Sequence, residues 1–294
     1  MPSGILLLDK PQGLSSNGAL QRVRKAFKAK SAGHVGTLDP MATGMLPLCL
    51  DEATKVIAEI ESGAKAYEFT LQLGTRTDTG DADGQSVEQQ PVPVLDAAAI
   101  ETVLSRFSGP QQQVPPMYSA LKRDGKPLYE LARQGIEVER APRAIEIRAL
   151  ELMGQDARSL RLKCECTKGT YIRVLGEDIA RALGTCGHLS QLRRTWVEPF
   201  GDMPMVSLDA ALSGARELLL PPDQALQRLP QARLGADQVA VLRNGQAVLS
   251  PTEPASALGR RVRLYGPAGE FLGLAEAMAG GWLQPRRLLL EKPS

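Results

Sequence analysis

Rings are scarce in this 294-residue chain: Phe, Tyr and Trp make up 4% of it, and histidine occurs twice. Each tyrosine is therefore worth locating. Charge of one sign is also missing, because 35 Lys and Arg face 33 Asp and Glu for a net charge of +2. That balance excludes a general polyanion binder, so any nucleic-acid surface must come from local clustering. The start "MPSGILLLDKP" has only a four-residue apolar run before a charge, far short of a signal segment or membrane span. Four unevenly spaced cysteines, Cys49, Cys164, Cys166 and Cys186, lack the paired spacing of a zinc site or a disulfide framework. The expectation is a reduced, cytoplasmic protein without metal.

What is present is ordinary globular composition, 43% apolar and 23% charged. The chain is long enough for one large domain plus a small one. "SLRLKCECT" alternates, with Leu160, Leu162, Cys164 and Cys166 on one face, which reads as a half-buried strand. "EIRALELM" precedes it as the first arm of a hairpin, and "LPLCL" and "KAYEFTLQLG" read as further strands. "LSSNGALQRVRKAFKAK" reads as a helix with Ser or Asn at its N-cap and Leu20, Val23 and Phe27 on one face. "ATKVIAEIESG" and "PVPVLDAAAIETVLSRFSG" also read as helices. "YIRVLGEDIARALG" enters one with Leu175, Ile179, Ala182 and Leu183 inward and Gly184 as its stop. Strands and helices mix without strict alternation, so the fold class is α+β, with a mixed or antiparallel sheet. "DQALQRLPQARLG" reads as a linker, and the residues from about 230 onward as a small β-rich module.

"TRTDTGDADG" is turn chemistry. Read as a calcium loop with Gly84 at the invariant glycine, it puts Thr79 and Gln90 where carboxylates are needed. Calcium is not expected there. "GHVGTLDPMATGML", residues 33–46, sets a lone carboxylate, Asp39, in a Gly/Pro-punctuated turn before an apolar run. It suits either a solvated turn or a reactive group at the lip of a pocket. In "GTYIR", Tyr171 and Arg173 share a face if the segment is extended. Arg173 is then the natural partner of Asp39, lowering its pKa and aiming it as a nucleophile requires. The competing reading makes "GTYIR" a strand end with one buried tyrosine and one surface arginine.

The motifs "GHVGTLDPMATGML", "KAYEFTLQLGTRTDTGDADG", "GTYIR" and "LRR" occur in the order and spacing of the bacterial tRNA pseudouridine-55 synthase family, which residues 1–205 resemble. "GILLLDKPQGLSSN" and "VPPMYSALKRDGKPLYELARQG" are similar to that family as well, the latter to its thumb. The resemblance implies a pseudouridine synthase catalytic domain over 1–229, with a thumb-like insertion at about 117–136, and a PUA-like RNA-binding domain over 230–294. It implies an isomerase that flips a uridine out of the T loop of tRNA, breaks its N1–C1′ bond and rejoins it through C5. It implies no cofactor, no metal, no membrane and no required protein partner, and a monomer is expected.

Residue by residue, the resemblance makes Asp39 the catalytic aspartate and Tyr67 the aromatic under the target base, which also helps remove the C5 proton. It makes Tyr171 the pocket tyrosine, Arg173 the partner of the aspartate and Leu192 an apolar wall. His34 enters the space the base vacates, and Lys10 is the basic residue of "DKP", with a packing or a substrate role. Flipping costs a few kcal/mol, and stacking on one aromatic returns about 1–3 kcal/mol. Phosphate contacts are expected from Arg22, Arg24 and Lys25, from Lys122, Arg123 and Lys126, and from Arg260 and Arg261 of the tail. Two rivals stand beside this reading. One is an RNA chaperone, as sole or accompanying role. The other is a glycosidase or phosphoryl transferase, which would need a second carboxylate or magnesium beside Asp39.

Overall fold

Gly4–Lys10 forms the first strand (β1), and its apolar run is uninterrupted because both its faces are covered. Ile5 and Leu7 enter one core cluster and Leu6 and Leu8 another. The structure, a computed structural model, describes residues 3–123, 125–250 and 258–289. In chain order its strands continue with β2 (Ala32–His34), β3 (Thr43–Leu50), β4 (Lys65–Leu73), β5 (Thr75–Thr77) and β6 (Ser86–Gln89). Next come β7 (Gly109–Gln113), β8 (Lys122–Arg123), β9 (Lys126–Pro127), β10 (Arg143–Gln155) and β11 (Ser159–Cys166). Then follow β12 (Gly187–Val197), β13 (Val206–Ser207), β14 (Gln231–Arg233), β15 (Val248–Leu249), β16 (Arg261–Tyr265), β17 (Phe271–Ala277) and β18 (Trp282–Leu288).

Nine of these described strands build one mixed sheet in the order β13-β1-β3-β12-β4-β11-β10-β7, with β2 on β3. β12 runs parallel to β3 and antiparallel to β4, so it joins the sheet's two halves. Helices Ser16–Ala26, Ala97–Ser105 and Ile172–Ala182 bury Leu20, Val23, Ile100, Leu104, Leu175 and Ile179 in the larger cluster, with Leu6, Leu8, Phe69 and Leu71 of the sheet. The fold is α+β, as the mixed pattern implied. Ser15 caps the first helix, its hydroxyl accepting from the Gly18 N–H at 3.0 Å.

Three expectations change. The helix expected over 53–63 begins as a 3-10 turn, Asp51–Val56, and becomes α-helical only over Ile57–Glu61. On the helix Ile172–Ala182, Ala182 is exposed and Ala180 is buried in its place. The presumed linker 223–235 is held down rather than free. Pro222–Leu226 is a 3-10 turn with Ala225 and Leu226 buried, and Gln231–Arg233 pairs as β14 beside β16.

The tail's strands form a five-stranded sheet, β14-β16-β17-β18-β15. Leu274 of β17 enters the cluster that holds Ile5 and Leu7, and Lys55 donates to the Leu288 carbonyl at 2.7 Å. Of the expected tail domain, 251–257 and 290–294 lie outside the described residues. The 117–136 excursion is a short β8–β9 hairpin followed by the helix Leu128–Arg133, with residue 124 outside the described residues. Among the described residues, no helix is long and apolar enough to cross a membrane.

Candidate active site

The loop that carries Asp39 is pinned from three sides. The buried Ser16 hydroxyl both donates to the Leu38 carbonyl and accepts from the Leu38 N–H, each at 2.8 Å. The Gly13 N–H donates to the Pro40 carbonyl at 2.7 Å. Lys10, 0% exposed, donates from Nζ to the carbonyls of Leu14 at 2.7 Å, Pro11 at 2.9 Å and Pro40 at 3.3 Å. Burial pulls the Lys10 ammonium down to about 8, against the attraction of Asp39. Lys10 is thus a strut beneath the loop and does not line the cavity described next.

Asp39, with its side chain 36% exposed, faces Arg173 across 3.0 Å between Oδ2 and Nε. The guanidinium is buried, and its remaining nitrogens donate to the Thr79 carbonyl at 2.7 Å and the Tyr118 carbonyl at 2.6 Å. Arg173 therefore arrives aimed, with its rotamer fixed by main chain. A second carboxylate, Asp81, stands 3.7 Å from the same Nε. It is held by the Thr79 hydroxyl at 2.6 Å and the Asp83 N–H at 3.1 Å.

Two expectations are corrected here. The "TDTGDADG" turn delivers a second acid to the arginine, where one was expected. The Asp39 carboxyl is also pushed up rather than down, because its partial desolvation at the cavity outweighs the pull of Arg173 and Asp81 adds to the rise.

Tyr171 and Arg173 do reach one cavity, but not as neighbours on an extended strand. Tyr171 caps the helix Ile172–Ala182 and Arg173 sits in its first turn. The buried Gln113 side chain clamps the Tyr171 backbone, accepting from its N–H at 2.7 Å and donating to its carbonyl at 3.1 Å.

The cavity holds about 390 Å³, large enough for a nucleobase, and is lined by Asp39, Tyr67, Tyr171, Arg173 and Leu192. Tyr67 projects from β4 and Leu192 from β12, both buried. Burial pushes the Tyr67 phenol up to about 12, and Arg194 pulls against it. Two lining cations were not among the expected site residues. Arg194 lies opposite Tyr67 in the β12–β4 register, and Lys65 donates from Nζ to the Gly63 carbonyl at 2.9 Å and the Glu61 carbonyl at 3.2 Å. The second arginine of "LRR" was the available signal for Arg194. Lys65 had none beyond its place in a strand.

His34 stands on β2 outside this lining, its Nδ1 buried without a hydrogen-bond partner among the described residues. Burial and Arg194 both lower its pKa. Of the expected phosphate contacts, Arg22, Lys25, Lys122, Arg123, Lys126 and Arg260 are exposed. Arg24 is turned inward, donating to the carbonyls of Lys30 at 2.9 Å and Ala29 at 3.3 Å. It closes the end of its own helix. Arg261 faces Glu59 at 3.7 Å and Glu276 at 4.0 Å, joining the tail to the helix Ile57–Glu61.

The chain is similar to known proteins along nearly its whole length. The profile of the TruB family pseudouridylate synthase (N terminal domain) matches residues 24–172. Those of the tRNA pseudouridylate synthase B C-terminal domain and of pseudouridine synthase II TruB, C-terminal, match 173–227 and 230–289. The chain is 50% identical to tRNA pseudouridine synthase B of Aromatoleum aromaticum, over 97% of this chain and 92% of that protein. It is 46% identical to that of Nitrosococcus oceani, over 98% and 95%. In three dimensions it resembles a chain of the Cbf5-Nop10-Gar1 complex, with a TM-score of 0.72 and 25% identity over 99% of this chain and 84% of that one.

Proposed function

Because the chain belongs to the TruB family of pseudouridylate synthases, we propose that its cavity isomerises uridine 55 in the T loop of tRNA to pseudouridine. The observation that carries this reading is the Asp39–Arg173 pair at 3.0 Å in a cavity also lined by Tyr67, Tyr171 and Leu192. A uridine inside a folded loop presents neither C1′ nor C6 to a carboxylate, so the nucleotide leaves the stack and enters the cavity. Tyr67 supplies the stacking face and Leu192 the apolar wall, which together offset the flipping cost. Asp39, held by Arg173, adds to C6 of the base or to C1′ of the sugar, N1–C1′ breaks, C5 joins C1′, and the bond to Asp39 breaks again to return the carboxylate. The Tyr67 phenolate, its own proton having gone to solvent, takes the C5 proton while N1 takes one from solvent, so atoms and charge balance. Tyr171 shapes the rim, Lys10 holds the Asp39 loop, and His34 stands behind it to follow the departing base.

The remaining residues support the same reading. Exposed Arg22, Lys25, Lys122, Arg123 and Lys126 meet the phosphates of the T arm, and 117–136 acts as a thumb that closes on it. The chain divides into a catalytic domain over 1–229 and a PUA-like RNA-binding domain over 230–294, working as a cytoplasmic monomer without metal or cofactor. The test is carbodiimide mapping of a tRNA transcript after incubation with the protein in EDTA. A new stop at position 55 of the T loop is expected, and a stop confined to another loop overturns the substrate assignment.

A further inference from the structure

We propose that Arg194 is a positioning residue for Tyr67, holding the phenol oxygen and stabilising it as the phenolate that takes the C5 proton. The inference rests on the uridine-isomerising reading of the cavity. Arg194 is 1% exposed. It spends its donors on main chain, from Nε to the Met45 carbonyl at 2.7 Å and from Nη2 to the carbonyls of Gly36 at 2.9 Å and Val35 at 3.2 Å. No carboxylate among the described residues pairs with it, whereas Arg173 in the same cavity faces two. A buried cation satisfied only by neutral dipoles is costly. Cross-linking three carbonyls needs hydrogen-bond donors but no charge, so the charge calls for another account.

An anion that exists only during turnover supplies one. Arg194 and Tyr67 are directly opposed on antiparallel strands, a placement that brings Cβ atoms to about 5 Å. Both line the cavity. The guanidinium already pulls the phenol down against its burial. The other ionisable groups around Tyr67 are poorer counter-charges. Lys65, two residues back on β4, is tied to the Glu61 and Gly63 carbonyls. Cys164 and Cys166 of β11 are buried thiols, and Arg173 is engaged with Asp39. In the step itself the C5–H bond breaks, its electron pair closes the C5=C6 double bond of the new nucleoside, the pair displaced at C6 goes to N1 or leaves with the Asp39 carboxylate, and the proton goes to the phenolate oxygen. Because burial holds the phenol at about 12, the reacting species is the minor fraction whose own proton has left to water before the base enters.

The test combines Arg194→Gln with 3,5-difluorotyrosine placed at position 67, reading single-turnover tritium release from 5-tritiated uridine in tRNA across pH. Arg194→Gln is expected to bind tRNA normally, to release tritium about 100-fold more slowly, and to move the pH profile upward. The acidified phenol in the same variant is expected to restore release and move the profile back. A folded Arg194→Gln protein with unchanged release, or with a defect the acidified phenol leaves untouched, overturns the proposal. If Arg194→Gln does not fold, the fluorinated residue in the otherwise unaltered chain decides: a profile shifted to lower pH supports it and an unshifted one overturns it. An unaltered protein that releases no tritium would sink the functional reading itself, a separate result.

Discussion

The cavity and the basic excursion at 117–136 are built on opposite principles. In the cavity, Asp39, Arg173, Tyr171 and Arg194 are each held by main-chain or buried side-chain partners within 3.2 Å. In the excursion, Lys122, Arg123 and Lys126 sit exposed on a two-residue-per-strand hairpin, where the Arg123 side chain donates to the Glu139 carbonyl at 3.1 Å. The first arrangement fixes atoms before the substrate arrives, which is what lowering a barrier requires. In the proposed function, the second leaves cations to follow a phosphate backbone, supplying affinity without fixed geometry. Substitutions in the two regions should therefore separate turnover from grip.

The largest effect belongs to Asp39→Asn. It should lower single-turnover isomerisation by at least about a thousandfold while tRNA affinity, measured by filter binding, stays within a few fold. Equal loss of binding would erase the distinction between the regions.

Arg173→Gln should follow, reducing turnover and costing about 2–3 kcal/mol in urea unfolding. It leaves the buried Asp81 unpaired, while the partial exposure of Asp39 moderates the loss. Because Arg173 opposes the rise of the Asp39 carboxyl, its removal should also carry the acid limb of the pH–rate profile to higher pH. An acid limb that stayed in place would detach the guanidinium from the carboxylate.

Gly44→Ala tests the frame that holds the cavity. Gly44 has φ +98, and a Cβ there would lie 2.2 Å from the Arg194 carbonyl oxygen. Backbone on the neighbouring strand cannot swing away as a side chain can, so stability and turnover should fall together.

Replacing Lys122, Arg123 and Lys126 singly by alanine should leave saturated turnover unchanged. Each should weaken tRNA binding a few fold and reduce the salt slope of log K by about 0.7–0.9 for each phosphate that is no longer neutralised. A changed slope at Arg24→Ala as well would contradict its assignment as a helix-end brace.

The smallest effect is at Lys10. Its folded value of about 8 lies below its ordinary 10.5. The unfolded chain therefore binds the extra proton between those values, and this group's penalty is full below pH 8 and relieved toward pH 10.5. Lys10→Met should flatten that part of the stability–pH curve by up to one proton's worth, and Lys65, displaced in the same direction, should retain its share.

How much of this was legible depends on the range of the physics involved. β1, β3, β4, β10 and β11 could be read because apolar runs and alternation are local. The helix Ser16–Ala26 could be read because Leu20, Val23 and Phe27 repeat at its period. Asp39, Tyr67, Tyr171, Arg173 and Leu192 were nameable through motif resemblance, and the structure gathers all of them around one cavity. What spacing could not show is convergence. Asp81 reaches Arg173 from 92 positions away, Gln113 clamps Tyr171 across 58, and Arg194 meets Tyr67 only through strand register. Arg24 shows the converse limit, since an exposed basic stripe on a helix does not reveal which member bends back to close its end.

The central claim is that this cavity opens and re-forms a glycosidic bond at C5. The direct measurement is tritium release from a tRNA transcript carrying 5-tritiated uridine, incubated with the protein in EDTA alongside Asp39→Asn. The account predicts release by the unaltered protein, one tritium per tRNA at completion, and none by the variant although both bind. A transcript that is bound tightly and keeps its tritium with both proteins would contradict it.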